Sequence, residues 1–464
     1  MLTRTTLCLA TLALASCAVG PNYKKPDTAD ITPAKWRWQT AAPRDHAPRG
    51  EWWKVFHDSE LDRLEARALA SSQTLRAAVA RVEQARAQAR VSAANFLPDI
   101  RLNGTAEREQ TSGNLPTPVP VTIPAARINS FTTTLDLSYE IDFWGKVRRS
   151  FESARAEAAA SAADYHNALL ILTGDIAANY FLLRSFDAEL AALRQTIELR
   201  DKALNLIKQR ADAGAVSEID AERARTELAT ARAELADVKR QRQEVADTLS
   251  LLCGEPATNF RIAERPLRQT PPNIPAGLPA DLLERRPDIA KAERTVAARN
   301  ADIGVATAAY FPSVRLTGSG GYLSKDVDSL FSPDSKVWSI GPSVSLPITG
   351  FAVIGANVRR TKAAREEAIA NYRQAVLTAV KDVETSLAQI RYRREQGTAQ
   401  SEALASSAKA TELIRDRYER GTISFIDYLD AERTRLQLER QNAQISAQRF
   451  IATVRLIKAL GGGW

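Results

Sequence analysis

The chain is short of reactive side chains. Its 464 residues include three Cys, three His and one Met, the initiator, and aromatics make up 6%. Cys8, Cys17 and Cys253 are too few for a disulfide scaffold or a four-Cys zinc site. His46, His57 and His166 make no conventional His-rich metal cluster. No run has the glycine spacing of a dinucleotide-binding turn or a P-loop, or the nucleophile elbow of a serine hydrolase. No nucleophile–base pair stands out, so neither an enzyme nor a metal or cofactor is expected. The net charge of +8 is not a nucleic-acid signal. Arg and Lys alternate with Glu and Asp along helical stretches, the pattern of a solvated face. What is abundant is Ala, Arg, Glu, Gln and Leu. The composition is globular, and the length by itself suggests about two to four ordinary domains.

The first residues set the compartment. Arg4 gives a positive start, Leu7 to Ala15 an apolar core, and Leu14-Ala15-Ser16 the small residues that precede a cleavage site. Cys17 directly after them resembles a bacterial lipobox. The expectation is a signal peptide at 1–16, cleavage between Ser16 and Cys17, and covalent lipid on Cys17. A plain signal with an incidental Cys is the blander alternative. Ala18 rather than Asp after the Cys favours outer-membrane sorting. More than one acyl chain makes such an anchor stable. Beyond Cys17 no apolar run of about 18 residues marks a transmembrane helix. Pro-rich residues 17–50 read as a lipidated, extended tether. With Cys8 removed and Cys17 lipidated, Cys253 is the one candidate free thiol, and a buried packing role suits it.

The rest of the chain is written twice. VSAANFLPDIRLNG (91–104) matches VATAAYFPSVRLTG (305–318). Val147-Arg148-Arg149 matches Val358-Arg359-Arg360, and AGAVSEID (213–220) matches RGTISFID (420–427). Three landmarks in one order indicate a duplication, with a first repeat at 51–263, a Pro-rich linker at 264–280 and a second repeat at 281–464. In each, a helix leads to two alternating runs and then to a long helical stretch that breaks at a glycine. Leu61 to Ala89 follows three- and four-residue apolar steps. Strands are expected at about 98–110, 130–142, 312–322 and 337–348. Long helices are expected at about 146–212, 217–252, 357–420 and 424–460.

In 131–142, Phe131, Leu135, Leu137, Tyr139 and Ile141 alternate with Thr134, Asp136, Ser138 and Glu140. Such strands suit a soluble sandwich, or a barrel wall with lipid outside and water inside. Pro342 in the fourth run implies a bulge or an edge. Four strands cannot close a barrel, and open edges are not tolerated in lipid, so a membrane barrel needs several chains. The long helices, each roughly 100 Å at 1.5 Å per residue, suit an exposed coiled coil or a tube continuous with the barrel.

The combination resembles the outer-membrane factors of Gram-negative tripartite efflux systems, in their lipoprotein (TolC-like, NodT-type) branch. The resemblance is carried by Cys17-Ala18-Val19-Gly20-Pro21-Asn22-Tyr23, Trp52-Trp53 with Phe56, and Phe143-Trp144-Gly145-Lys146-Val147-Arg148-Arg149. Its most specific motif is LPADLLERRPDIAKAE (278–293), which continues through Asn300 to Val305 and Tyr310-Phe311-Pro312. The chain departs from the family at 348–358, where a Gly-rich, basic junction is replaced by ITGFAVIGANV. The resemblance implies a mainly α protein with a small β part. In a homotrimer, four strands per chain would build a twelve-stranded outer-membrane barrel, and the helices a periplasmic tube. It implies a passive channel for an inner-membrane transporter of the RND type and a periplasmic adaptor. An outer channel for type I protein secretion, or a non-conducting trimeric coiled-coil surface lipoprotein, are the alternatives.

The resemblance also places a gate at the far helix turns. Asp427 and Asp430 are three residues apart, on one helix face, and in a trimer each becomes a ring of three carboxylates. Ile426 would be an apolar collar, and Arg433 and Tyr418 latch residues. Gly214, Ser217, Gly421 and Ser424 would mark the turns and adaptor contacts. Acidic residues near a helix start are also favoured by the helix dipole alone.

Overall fold

The computed structural model describes residues 18–38, 50–112, 125–267, 269–277 and 279–462. The segment expected as a signal peptide, the expected Ser16–Cys17 cleavage point and the expected lipid site Cys17 lie outside them. The chain forms two compact units. Among the described residues, one comprises 18–26, 82–112, 125–161 and 292–371, and the other 27–38, 50–81, 162–267, 269–277, 279–291 and 372–462.

Chain order runs α1 (Ser59–Ser71), α2 (Gln73–Ala94), β1 (Asp99–Gln110), β2 (Arg127–Ile141), α3 (Lys146–Asp212) and α4 (Glu218–Leu252). The second repeat follows as α5 (Pro287–Ala308), β3 (Ser313–Ser324), β4 (Lys336–Ser345), α6 (Phe351–Glu419) and α7 (Phe425–Ala459). The fold is mainly helical with one four-stranded sheet.

The first unit holds that sheet, antiparallel throughout, in the order β1-β2-β3-β4. The ladder aligns Leu102, Leu135, Gly320 and Trp338 across it, and likewise Ile100, Leu137, Gly318 and Ile340. One row between them, Arg101, Asp136, Ser319 and Ser339, points to the other face. The apolar face is bare: Leu102 is 73% exposed, Trp338 80% and Ile340 69%. On the polar face Asp136 accepts from Ser319 Oγ and Asn103 Nδ2, both at 2.5 Å. Pro342 sits opposite Leu316 on β4, an edge strand, where its missing N–H leaves no inner ladder bond unmade.

Residues 18–38 are not a free tether. Val19 N–H donates to the Trp144 carbonyl at 3.0 Å, and Arg149 reaches Asn22 Oδ1 at 2.7 Å. Asn300 Nδ2 donates to the Pro21 carbonyl at 2.8 Å. The extended reading of 17–50 is therefore corrected over 18–38, because this backbone finds its hydrogen bonds on the helices.

The second unit has an aromatic core in which Phe181 stacks on Phe450 (4.5 Å) and Phe56 tilts against both. Asp58 caps α1 and accepts from Tyr180 Oη at 2.7 Å. The segment expected as a linker at 264–280 is pinned at its start. Asp187, fully buried, accepts from Arg184, Arg242 and the Arg265 N–H. Trp36, 3% exposed, donates to the Gly277 carbonyl at 2.9 Å. Cys253 is buried, and burial pushes its thiol up to about 11.

Other boundaries shift for local reasons. The opening helix breaks at Ser72, against which Gly254 packs. The strand expected to reach 348 stops at Ser345, before Pro347, which cannot donate to a ladder. The helix expected from 357 starts at Phe351. Gly350, at φ +91°, turns the chain, and its carbonyl accepts from Val353 and Ile354. Although the sequence shows no unbroken apolar run, helix α3 contains an 18-residue window of mean hydropathy 1.2. Of that window 61% is buried, the signature of a core helix.

Candidate functional site at the helix turns

The site lies in the second unit, where α3 turns into α4 and α6 into α7. Both turns use the same device. Gly214 (φ +70°) and Gly421 (φ +74°) take the left-handed conformation that L-residues resist. Each is followed by a bond that recovers an orphan helix carbonyl: Ala215 N–H to Arg210 O (2.8 Å) and Thr422 N–H to Arg417 O (3.0 Å). Ser217 and Ser424 then cap the outgoing helices. Ser217 Oγ accepts from Ile219 N–H at 3.2 Å. Ser424 forms a full capping box with Asp427.

An apolar knot holds the two hairpins together. Leu204, Ile207, Ala221, Ala224 and Leu228 pack against Tyr418, Phe425, Tyr428 and Leu429. Tyr418 stacks on Tyr428 with ring centroids 5.4 Å apart and planes 5° apart, and the Arg210 guanidinium lies 5.7 Å from the Tyr418 ring. Burial raises both phenols. Tyr428, also beside Glu432, is pushed up to about 12.

Beside the knot is an open groove of ≈ 770 Å³ between the starts of α4 and α7. Ile219, Arg223 and Glu227 line one side, and Ile426, Asp430 and Arg433 the other. The groove gathers three residues of the expected gate: Ile426, 41% exposed, Asp430 and Arg433. Arg433 pairs with Asp430 at 3.4 Å and with Glu227 of α4. The Glu227 carboxylate is 8% exposed and also meets Arg200 at 3.2 Å. These contacts hold the Arg433 guanidinium above its usual basicity, Glu227 first. Two expected gate residues fall elsewhere. Asp427 is exposed, but its carboxylate is occupied by the Ser424 cap. Tyr418 is inside the knot. Gly214, Ser217, Gly421 and Ser424 are exposed at the turns.

Sequence reasoning missed Glu227 and Arg200. The available signal was a carboxylate inside the small-residue stripe Ala221, Ala224, Leu228, Ala231, all buried on α4. An acid in such a stripe is costly unless a cation meets it.

A sheet with one bare apolar face and one polar face has the pattern of a membrane-barrel wall. The family model of the outer membrane efflux protein matches residues 64–255 and 278–462. The pyoverdine export outer membrane protein OpmQ of Pseudomonas aeruginosa is 34% identical over 98% of this chain and 96% of its own length. Outer membrane protein OprJ of the same organism is 34% identical over 98% and 95%. Among solved structures, the outer-membrane channel OprN superposes with a TM-score of 0.88 at 30% identity, over 97% of this chain and all of that one. The open-state MtrE channel of Neisseria gonorrhoeae gives 0.84 at 29%, over 96% and 98%. The chain belongs to the outer membrane efflux protein family. It is an outer-membrane channel component of an efflux system, in a family of channels rather than enzymes.

Proposed function

We propose that three copies of this chain form one conduit, anchored by lipid on Cys17 and gated at the helix turns. The carrying observation is the sheet. Its apolar face is bare, and β1 and β4 each have an edge without a partner strand in the chain. In lipid those edges must be satisfied, and three sheets joined edge to edge satisfy them as a twelve-stranded barrel. The conduit itself supplies no energy. An RND-type inner-membrane transporter and a periplasmic adaptor drive export and select the solute, with the exposed turns at Gly214–Ser217 and Gly421–Ser424 meeting the adaptor. In the trimer Asp430 repeats three times as an acidic ring with Ile426 beside it, and Arg433 latches α7 to α4 through Glu227.

Purified protein in planar bilayers tests this. Wild type should conduct poorly, and Asp430→Asn with Arg433→Ala should raise single-channel conductance several-fold. A double variant no more conductive than wild type removes the gate assignment. Crosslinking from residues 210–220 and 417–427 should capture an adaptor with its transporter. The stalk alternative predicts instead that removing the lipid alone releases the protein from membranes.

A further inference from the structure

We infer that the first unit carries an oxyanion-binding groove on the channel's inner wall, centred on Arg360. The inference rests on the channel reading and on Cys17 as the lipid-bearing residue. The duplicated Val-Arg-Arg triplet is the starting point. In the first copy Arg149 is 5% exposed, pairs with Glu152 at 2.7 Å and holds Asn22. In the second copy Arg360 occupies the equivalent position and is exposed. Its one hydrogen bond is from Nε to Asn357 Oδ1, at 3.4 Å. Among the described residues no carboxylate lies within 4 Å of it.

Arg360, Asn357 and Thr361 of α6 face Arg299 and Asp302 of α5 across a groove of ≈ 520 Å³. Asp302 makes no ion pair with Arg360: its two oxygens accept from Ser153 (2.6 Å) and Arg299 (2.9 Å), and Arg299 also meets Glu157 at 3.3 Å. The guanidinium fork of Arg360 and the Asn357 amide beside it suit a carboxylate, phosphate or sulfonate group, while the Thr361 hydroxyl donates to its own helix at the Asn357 and Val358 carbonyls.

The side of the wall follows from helix geometry. Residues 20–23 pack on Gly304, Asn300 and Glu293, which share one face of α5 at spacings of four and seven. That segment follows Cys17 directly, so it runs along the lipid side, outside the tube. Arg299, Asp302 and Ala306 share another face, and Asp302 is two residues from both Asn300 and Gly304. Two residues are about 200° of helix, so the groove opens to the opposite side, the lumen. Three Arg360 side chains in a trimer then make a basic ring, which favours anions.

The test uses the trimer with its gate opened by Asp430→Asn and Arg433→Ala, in a bilayer under a KCl gradient. In that background Arg360→Ala should lower the chloride-to-potassium permeability ratio about two- to threefold, as expected for one charge per subunit near a wet pore. Arg360→Glu should lower it further, and sulfate should slow conduction only while Arg360 is present. Arg359→Ala, one residue away on a different face, should leave the ratio unchanged. An open channel with the same ratio in both Arg360 variants overturns the groove and leaves the channel standing. A gate-opened protein with no conductance overturns the channel reading, and the groove with it.

Discussion

The two helix turns share one sequence pattern and differ in what they bury. Position by position, Gly214 corresponds to Gly421, Ser217 to Ser424, Ile219 to Ile426 and Asp220 to Asp427. The glycine and the cap are kept, because each reversal uses a left-handed residue and a capped helix start. The differences begin at the first helical residue, where Glu218 corresponds to the buried Phe425. Ala221 stands where the second turn has Tyr428, Arg223 where it has Asp430, and Thr226 where it has Arg433. The first turn thus offers small residues and a buried acid, Glu227. The second supplies the aromatic bulk and the arginine that meet them. The two similar hairpins thus carry complementary residues and form a lock with two sides, and at the position of Asp430 only the second side carries an acid.

The comparison breaks most severely at Glu227. Glu227→Ala strands Arg200, 11% exposed, without its carboxylate, and should destabilise the turn region by about 3 kcal/mol. Hydrogen exchange at the start of α4 should rise steeply. Arg433→Ala leaves Glu227 paired with Arg200 and removes only a contact to a side chain that is 53% exposed, so it should loosen the same amides far less. Equal protection losses in the two variants would sink the assignment of Glu227 as the shared anchor.

Tyr428 comes next. Its folded-state value near 12 lies above the ordinary 10, so the folded turn holds this proton more tightly than the unfolded chain does. The stability it contributes is complete below pH 10 and declines as pH rises from 10 through 12. Near-ultraviolet absorbance should show late phenol ionisation coinciding with loosening of the second turn, and Tyr428→Phe should remove much of that alkaline sensitivity. Its counterpart Ala221 gives the first turn no such dependence of its own.

The smallest difference is in the caps. Ser424→Ala breaks a two-way box and should cost about 1 kcal/mol, whereas Ser217→Ala loses one bond and should cost about half that. Exchange at the first amides of α7 and α4 measures both.

Much of the architecture is legible in the amino-acid order. The alternation in 131–142 places Leu135 and Leu137 on one face and Asp136 on the other, since strand side chains alternate whatever the strand pairs with. The glycines of both turns and the serines after them announce helix reversals through local backbone geometry. The candidate site is legible in part. Helical spacing puts Asp427 and Asp430 on one face, while Ile426 and Arg433 are marked by the family resemblance. The departure from the family pattern at 348–358 is visible too, but not its outcome, a helix begun six residues early behind Gly350. The tether reading fails for a different reason. Prolines at 21 and 26 do describe an extended backbone, but an extended backbone can be packed as readily as free.

The sequence alone determined everything that depends on a residue and its near neighbours: strand faces, long helices rich in Ala and Glu, glycine turns, caps and the duplication. Only the tertiary structure decided the pairings between distant residues. Arg433 meets Glu227 from 206 positions away, and β2 of one repeat meets β3 of the other. Tyr418 packs into an apolar core, and Asp427 closes a helix cap while Asp430 stays exposed on the groove. Local rules set which groups each segment presents. Which of them become partners depends on how the chain brings its two halves together.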